Sequence, residues 1–237
     1  LFKLYAAFDA SQFDINQESI NAATKTRVDL NNNNFYLNAS YKANLSNHWQ
    51  LFSGLSYGYG QNKIGLDVND VENNEHSSHL KIRLKKSFSD RVKLTFGADY
   101  FITKFDESFN SNENFTFKSG YNANIAATYA ETDIFFSKKF AGKLGVRLSN
   151  NDLLEETVVS PRASLAYKVS KNGQFSLAYG SFTQAPRQDY LKYADYLESE
   201  KADHYILNFL YNKNRKLFRA EAYYKKYSDL VKFDTNV

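Results

Sequence analysis

The stretch "SPRASLAYKVSKNGQFSLAYGSFTQAP", Ser160 to Pro186, alternates almost without a break. Ala163, Leu165, Tyr167 and Val169 fall on one face, with Arg162, Ser164, Ala166 and Lys168 on the other. After the link Ser170-Lys171-Asn172-Gly173, the residues Phe175, Leu177 and Tyr179 again share a face, opposite Ser176, Ala178 and Gly180. Successive side chains of a strand point to opposite faces, so a period of two specifies β-strand, and the short link specifies a hairpin. Each such hairpin has an apolar and a polar face. Which media those faces meet separates a water-soluble sandwich from a membrane barrel.

The same pattern recurs along the chain. Phe35, Leu37, Ala39, Tyr41, Ala43 and Leu45 oppose Tyr36, Asn38, Ser40, Lys42 and Asn44. Leu80, Ile82, Leu84 and Phe88 oppose Lys81, Arg83, Lys85 and Ser87, and Val92, Leu94, Phe96, Ala98 and Tyr100 oppose Lys93, Thr95, Gly97 and Asp99. Alternation and turn residues together predict about eleven strands, roughly 1–9, 26–45, 48–60, 76–88, 92–104, 114–134, 141–149, 157–169, 174–183, 202–212 and 215–227. No stretch has a helical period of useful length.

The connections alternate in length. Short ones, "SNH" (Ser46–His48), "SDR" (Ser89–Arg91), "FSKKF" (Phe136–Phe140), "SKNG" (Ser170–Gly173) and "NKN" (Asn212–Asn214), alternate with long polar segments. The long ones include "ASQFDINQESINAATK", "QNKIGLDVNDVENNE" and "QAPRQDYLKYADYLESEK". Short turns at one end and long loops at the other describe an up-and-down meander standing in a membrane, whereas a Greek-key sandwich mixes loop lengths at both ends. Strands averaging over ten residues suit a tilted bilayer crossing, and 26–45 and 114–134 are expected to project beyond it.

Composition agrees. There are 18 Tyr and 20 Phe against 1 Trp and 2 Pro, in a chain that is hydrophilic on average, the profile of a barrel with aromatic girdles and one wet face. A net charge of +4 spread over 30 basic and 26 acidic residues leaves no basic block to mark a nucleic-acid partner. The absence of Cys excludes disulfides, thiolate metal sites and a cysteine nucleophile. No apolar run is long enough for a transmembrane helix, and no signal peptide is seen at "LFKLYAAFDA".

Lipid forbids an open sheet edge, and a bacterial barrel has an even number of strands with both termini on the periplasmic side. A chain that starts inside, crosses eleven times and stops at "DLVKFDTNV" is therefore expected to be part of a larger barrel, with residues 1–237 belonging to a single barrel domain.

Ser160-Pro161-Arg162, Tyr179-Gly180 followed by Gln184-Ala185-Pro186, Glu200-Lys201, and Glu221-Ala222-Tyr223-Tyr224 ahead of Asp229-Leu230-Val231 resemble the later strands of TonB-dependent outer-membrane receptors of the Bacteroidetes type. The resemblance is clearest over 157–231 and weaker over 26–134. It implies an all-β, antiparallel transmembrane barrel in a Gram-negative outer membrane, of which eleven strands are roughly half of a 22-stranded ring. The plug domain and TonB box of the family are not in this chain. It further implies active import of a scarce nutrient (a siderophore, vitamin or glycan) with energy supplied by the TonB complex, a surface lipoprotein as further partner, no cofactor and no enzymatic activity.

For ligand capture, the polar segment after the Ser160 hairpin offers Gln184, Arg187, Tyr190, Tyr193 and Tyr196, which can stack on or clamp a solute. Other motifs carry less. "GLSYG" (Gly54–Gly58) has the spacing of a hydrolase nucleophile turn but sits inside an alternating run with no helix after it. His76 and His79 point to opposite strand faces, Glu155-Glu156 and Glu198/Glu200 read as solvated loop carboxylates, and the sequons at Asn38 and Asn44 carry no weight. The competing readings are a barrel enzyme of phospholipase or protease type, a passive porin or surface-binding barrel, and a soluble adhesin.

Overall fold

A computed structural model describes residues 1–18, 25–111, 115–194 and 196–232. The tips of the first and third outer hairpins, Asp195 and the end of "DLVKFDTNV" lie outside the described residues. The strands are β1 (Phe2–Gln17), β2 (Thr26–Asn44), β3 (Trp49–Leu66), β4 (Asn69–Ser87), β5 (Val92–Ser111), β6 (Phe115–Phe135), β7 (Phe140–Asn151), β8 (Glu156–Lys168), β9 (Gly173–Gln184), β10 (Glu200–Lys213) and β11 (Lys216–Ser228). They form one sheet in sequence order, every neighbour antiparallel. The eleven-strand meander is as the alternation predicts.

Strand length is the main departure. β1 to β6 run 16 to 21 residues, whereas β7 to β11 run 12 to 14. The segments read as long loops are largely ladder: "QNKIGLDVNDVENNE" is the paired end of β3 and β4, turned at Asp67-Val68, and β1 pairs with β2 out to Gln17–Thr26. A crossing needs about 10 residues, so all three leading hairpins, not only 26–45 and 114–134, stand above the membrane, by roughly 20 Å for a tilted strand. Asn33, Gln61, Asn62, Asn73 and Asn74 read as loop by composition, but they pair side chain to side chain along these hairpins, Asn62 to Asn73 at 2.9 Å and Gln61 to Asn74 at 3.1 Å.

Three short turns share one device. Ser89, Ser137 and Ser170 each turn a hydroxyl back to accept from the backbone N–H two and three residues on, at 2.8–3.2 Å. The β10–β11 turn instead uses Asn214 and Arg215, both at positive φ (49° and 62°), the geometry of a tight two-residue hairpin. Pro161 lies inside β8 and does not open it; with no N–H to donate, it stands where the β8–β9 ladder ends at Arg162–Gly180.

The apolar residues answer the question of media. Leu144 and Val159 keep 58% and 59% of their surface exposed, and Leu55, Leu80, Leu148, Leu165, Leu177 and Leu207 on the same face are exposed as well. A water-soluble sheet buries that face; here none of the described residues covers it, as on the lipid-facing side of a membrane barrel. Aromatic pairs flank the band. Trp49–Phe96, Phe136–Phe140 and Phe175–Phe209 lie toward the short turns, while Tyr59–His76 and Tyr179–Tyr205 lie toward the outer end, where Tyr59 and Tyr179 donate to Asn74 and Asp203. The opposite, polar face is concave, because residues from β2 to β8 line a single cavity on it.

Candidate functional site

The concave face carries the polar chemistry at two levels. Near mid-strand, Asp99 on β5 is 4% exposed and gathers three partners. Its Oδ1 accepts from Lys81 Nζ and faces His79 Nε2, both at 2.9 Å, and its Oδ2 accepts from Arg147 Nη1 at 2.8 Å. Lys81 lies directly across the β4–β5 ladder. Arg147 reaches over from β7, two strands away, because the β6 residue between them is only Ala127. His79 is further held flat on Phe101, with ring centres 4.0 Å apart, so it is part of the wall. His76 lies on the other face, against Tyr57 and Tyr59, as the spacing predicts.

Ser56 of "GLSYG" sits opposite His79 in the β3–β4 register. A nucleophilic triad needs a hydrogen bond from that hydroxyl to the imidazole, and none is present among the described residues. The carboxylate is moreover shared with Lys81 and Arg147, and Ser56 lies mid-strand with no helix after it.

The outer mouth is built by the β9–β10 connection, the one long connection among the described residues that stays a loop. It carries a four-residue helix, α1 (Gln188–Leu191), too short to leave a helical period in the sequence. Leu191 and Pro186 are buried, and two polar side chains fasten the segment across the concavity: Gln188 Nε2 donates to Glu75 at 2.6 Å and Lys192 Nζ to Glu107 at 2.7 Å. Tyr193 packs beside Phe117, and the Ser199 N–H donates to Glu156 at 2.8 Å. Glu156 thus anchors this loop rather than standing solvated. Burial pushes the Lys192 ammonium down, but the hydrogen bond and charge of Glu107 outweigh it and hold the group above its ordinary range.

The capture residues named from the sequence are placed unequally. Gln184 ends β9 and donates to Glu200 at 3.0 Å, and Arg187 precedes α1, pairs with Asp189 at 3.4 Å and stays largely exposed. Tyr190 is half-buried in α1, Tyr193 lies against Phe117 with Lys192 over its ring, and Tyr196 is 83% exposed. The loop therefore presents Arg187, Tyr193 and Tyr196 outward from an anchored base. The anchors themselves, Gln188 and Lys192 with Glu75 and Glu107, were missed, since pairs 113 and 85 residues apart leave no local sequence signal.

An open-edged, antiparallel wall with an apolar convex face, two aromatic belts and a charged concave face is a segment of an outer-membrane β-barrel. The family model "TonB dependent receptor-like, beta-barrel" matches residues 3–237, and the chain belongs to that family, in the outer membrane of a Gram-negative bacterium. Similar solved structures include the alcaligin receptor FauA of Bordetella pertussis (12% identity, TM-score 0.73, 95% of this chain and 40% of that one). They also include the transporter YddB of Escherichia coli (12%, 0.75, 94% and 37%) and the ferric enterobactin receptor PfeA of Pseudomonas aeruginosa (13%, 0.72, 95% and 40%). The chain thus spans about 40% of the length of such receptors. A comparison with curated proteins finds no match.

Proposed function

We propose that the chain is part of the single barrel domain of an active importer, which captures a scarce nutrient at its outer loops and admits it through the barrel with energy delivered by the TonB complex. The observation that carries this reading is the polarity of the wall: charged and hydrogen-bonding groups line the concave face while lipid-compatible side chains cover the convex one. Gln184, Arg187, Tyr190, Tyr193 and Tyr196 are the proposed capture surface, supported by the anchoring of their loop to the wall. Structural neighbours are described as receptors for alcaligin and ferric enterobactin and as a copper transporter, so the shared wall accommodates different cargo and the loops carry the choice. The remaining proposed partners are outer-membrane lipid and a surface lipoprotein. No residue is assigned a catalytic role.

The test is growth of a strain lacking the intact receptor on single scarce nutrients, with labelled-nutrient uptake measured before and after collapse of the proton-motive force. Loss of uptake of one nutrient, with wild-type uptake abolished by the collapse, is the expected result. Uptake indifferent to energy makes the barrel a passive pore and ends this reading.

A further inference from the structure

The short turns build a charged rim at the periplasmic end of the wall. Residues 45–48, 88–91, 136–139, 169–172 and 214–215 carry five Lys or Arg side chains, Arg91, Lys138, Lys139, Lys171 and Arg215, against one acid, Asp90. The tight turns at the other end are the reverse: 67–68 and 152–155 hold Asp67, Asp152 and Glu155 and no base. The carbonyls of His48, Arg91, Lys139 and Asn172 each accept from a backbone N–H of the next strand along, those of Ser87, Phe135, Lys168 and Asn212, at 2.8–3.2 Å. The turns therefore form one continuous edge. Arg91, Lys138, Lys139 and Lys171 are exposed on it and make no ion pair among the described residues. The strands beside them are already paired on both sides, so completing the ring sets no further strand against them. Lys86 carries the rim onto the lipid side. It alternates with Leu80 and Ile82 onto the convex face, out of reach of anything inside the ring. Its Nζ donates to the Asn47 carbonyl at 2.6 Å and lies 5.1 Å from the Trp49 ring centre and 6.0 Å from that of Phe88. A lysine so placed keeps its stem among aromatic rings and its charge at the headgroup boundary.

We infer that this rim is a docking surface for anionic phospholipid headgroups of the periplasmic leaflet, with Lys86 and Arg91 beside Trp49 holding one phosphate and Lys138 and Lys139 the next along the edge. Those two turns are two strands apart, roughly 10 Å, so each pair meets its own headgroup. Cations at a bilayer surface draw anionic lipid, and a row of them gathers several molecules. Lys86 spends one of its three N–H donors on Asn47 and keeps two for a phosphate oxygen. Its aromatic frame of Trp49 and Phe88 faces lipid, which favours a headgroup over a soluble acidic partner. This docking needs only the membrane placement of the wall, and no import step.

Trp49, the one Trp of the chain, reports on the site. The experiment is fluorescence quenching of the intact receptor in phosphatidylcholine nanodiscs doped with chain-brominated phosphatidylglycerol or, separately, chain-brominated phosphatidylcholine, each protein read against its own Trp49→Phe blank. At equal mole fraction the anionic lipid is expected to quench Trp49 more strongly, by a factor of about two or more, and the excess should shrink as salt is raised. The variant K86Q/R91Q/K138Q/K139Q should lose the excess. K104Q, whose lysine lies on the same convex face toward the outer end and pairs with Asp106 at 3.3 Å, should keep it. Equal quenching by the two lipids in the wild-type receptor, or an excess that survives the quadruple variant, overturns the assignment. Loss of the excess in K104Q as well also overturns it, since the attraction would then belong to the charge of the whole protein. Should the quadruple variant not fold, K86Q/R91Q carries the test and is expected to remove most of the excess.

Discussion

Asp99 organises the middle of the wall. It is nearly inaccessible, and without it Lys81 and Arg147 face each other across Ala127 with no counter-charge. Removing one member of a buried ion pair leaves an uncompensated charge, but Lys81 and Arg147 keep 32% and 24% of their side-chain surface exposed and can recruit water. Asp99→Ala in the intact receptor is therefore expected to cost about 2 kcal/mol, toward the lower end for such a loss. Asp99→Asn, which retains the shape, should cost nearly as much. Adding Arg147→Met to either is expected to restore part of the loss, read from the urea midpoint of the folded, heat-modifiable band; strict additivity would mean the pair does not interact. Alternation alone placed Lys81, Arg83 and Asp99 on the polar face. It could not place Arg147 beside them, since that contact depends on the register of three strands and on a small residue in the one between. Gly97, on the same face, is read only afterwards: a Cβ there would press on the Ile82 carbonyl and lie 2.7 Å from the Tyr129 hydroxyl.

At the scale of elements, direction and number of strands were legible, because each crossing repeats the same two-residue period between polar turns. Their outer ends were not. Asn, Asp and Gln signal loops in isolated sequence, yet along β3 and β4 they satisfy one another across the ladder, so strand continues where composition says stop. The reverse holds for the β9–β10 connection, whose anchored form depends on β4 and β5. Its latch is the Lys192–Glu107 ion pair, each side chain less than one-sixth exposed. Lys192→Met is expected to free the loop, with limited proteolysis cutting within 185–199 at least several-fold faster than in the wild-type receptor while the barrel band persists. Because the folded ammonium titrates above its ordinary value, the stability it contributes is complete below the usual lysine range, near pH 10, and is lost as pH rises through the higher folded value. Wild-type protection should therefore be level from neutral to about pH 10 and fall beyond it, and the Met variant should lack that alkaline limb. An equal alkaline limb in both proteins would remove the ammonium from the latch.

The whole sheet has two edges, β1 and β11, and every other strand is paired on both sides over most of its length. Both edges carry odd positions in an antiparallel meander, so they run in the same direction. Two copies inserted the same way can then meet edge to edge only as parallel strands, and cannot close the antiparallel ring that lipid requires of a barrel. Only a complement with an odd number of strands, beginning and ending opposite in direction to these edges, satisfies both. The 237-residue chain refolded alone into detergent micelles is therefore expected to give no compact, heat-modifiable band and to associate through its edges. The intact receptor refolded in parallel should give that band. The opposite outcome, a compact monodisperse species from the chain alone whose band shifts on boiling, would mean that eleven strands curl shut on their own, and the parallel-edge argument would fail with it.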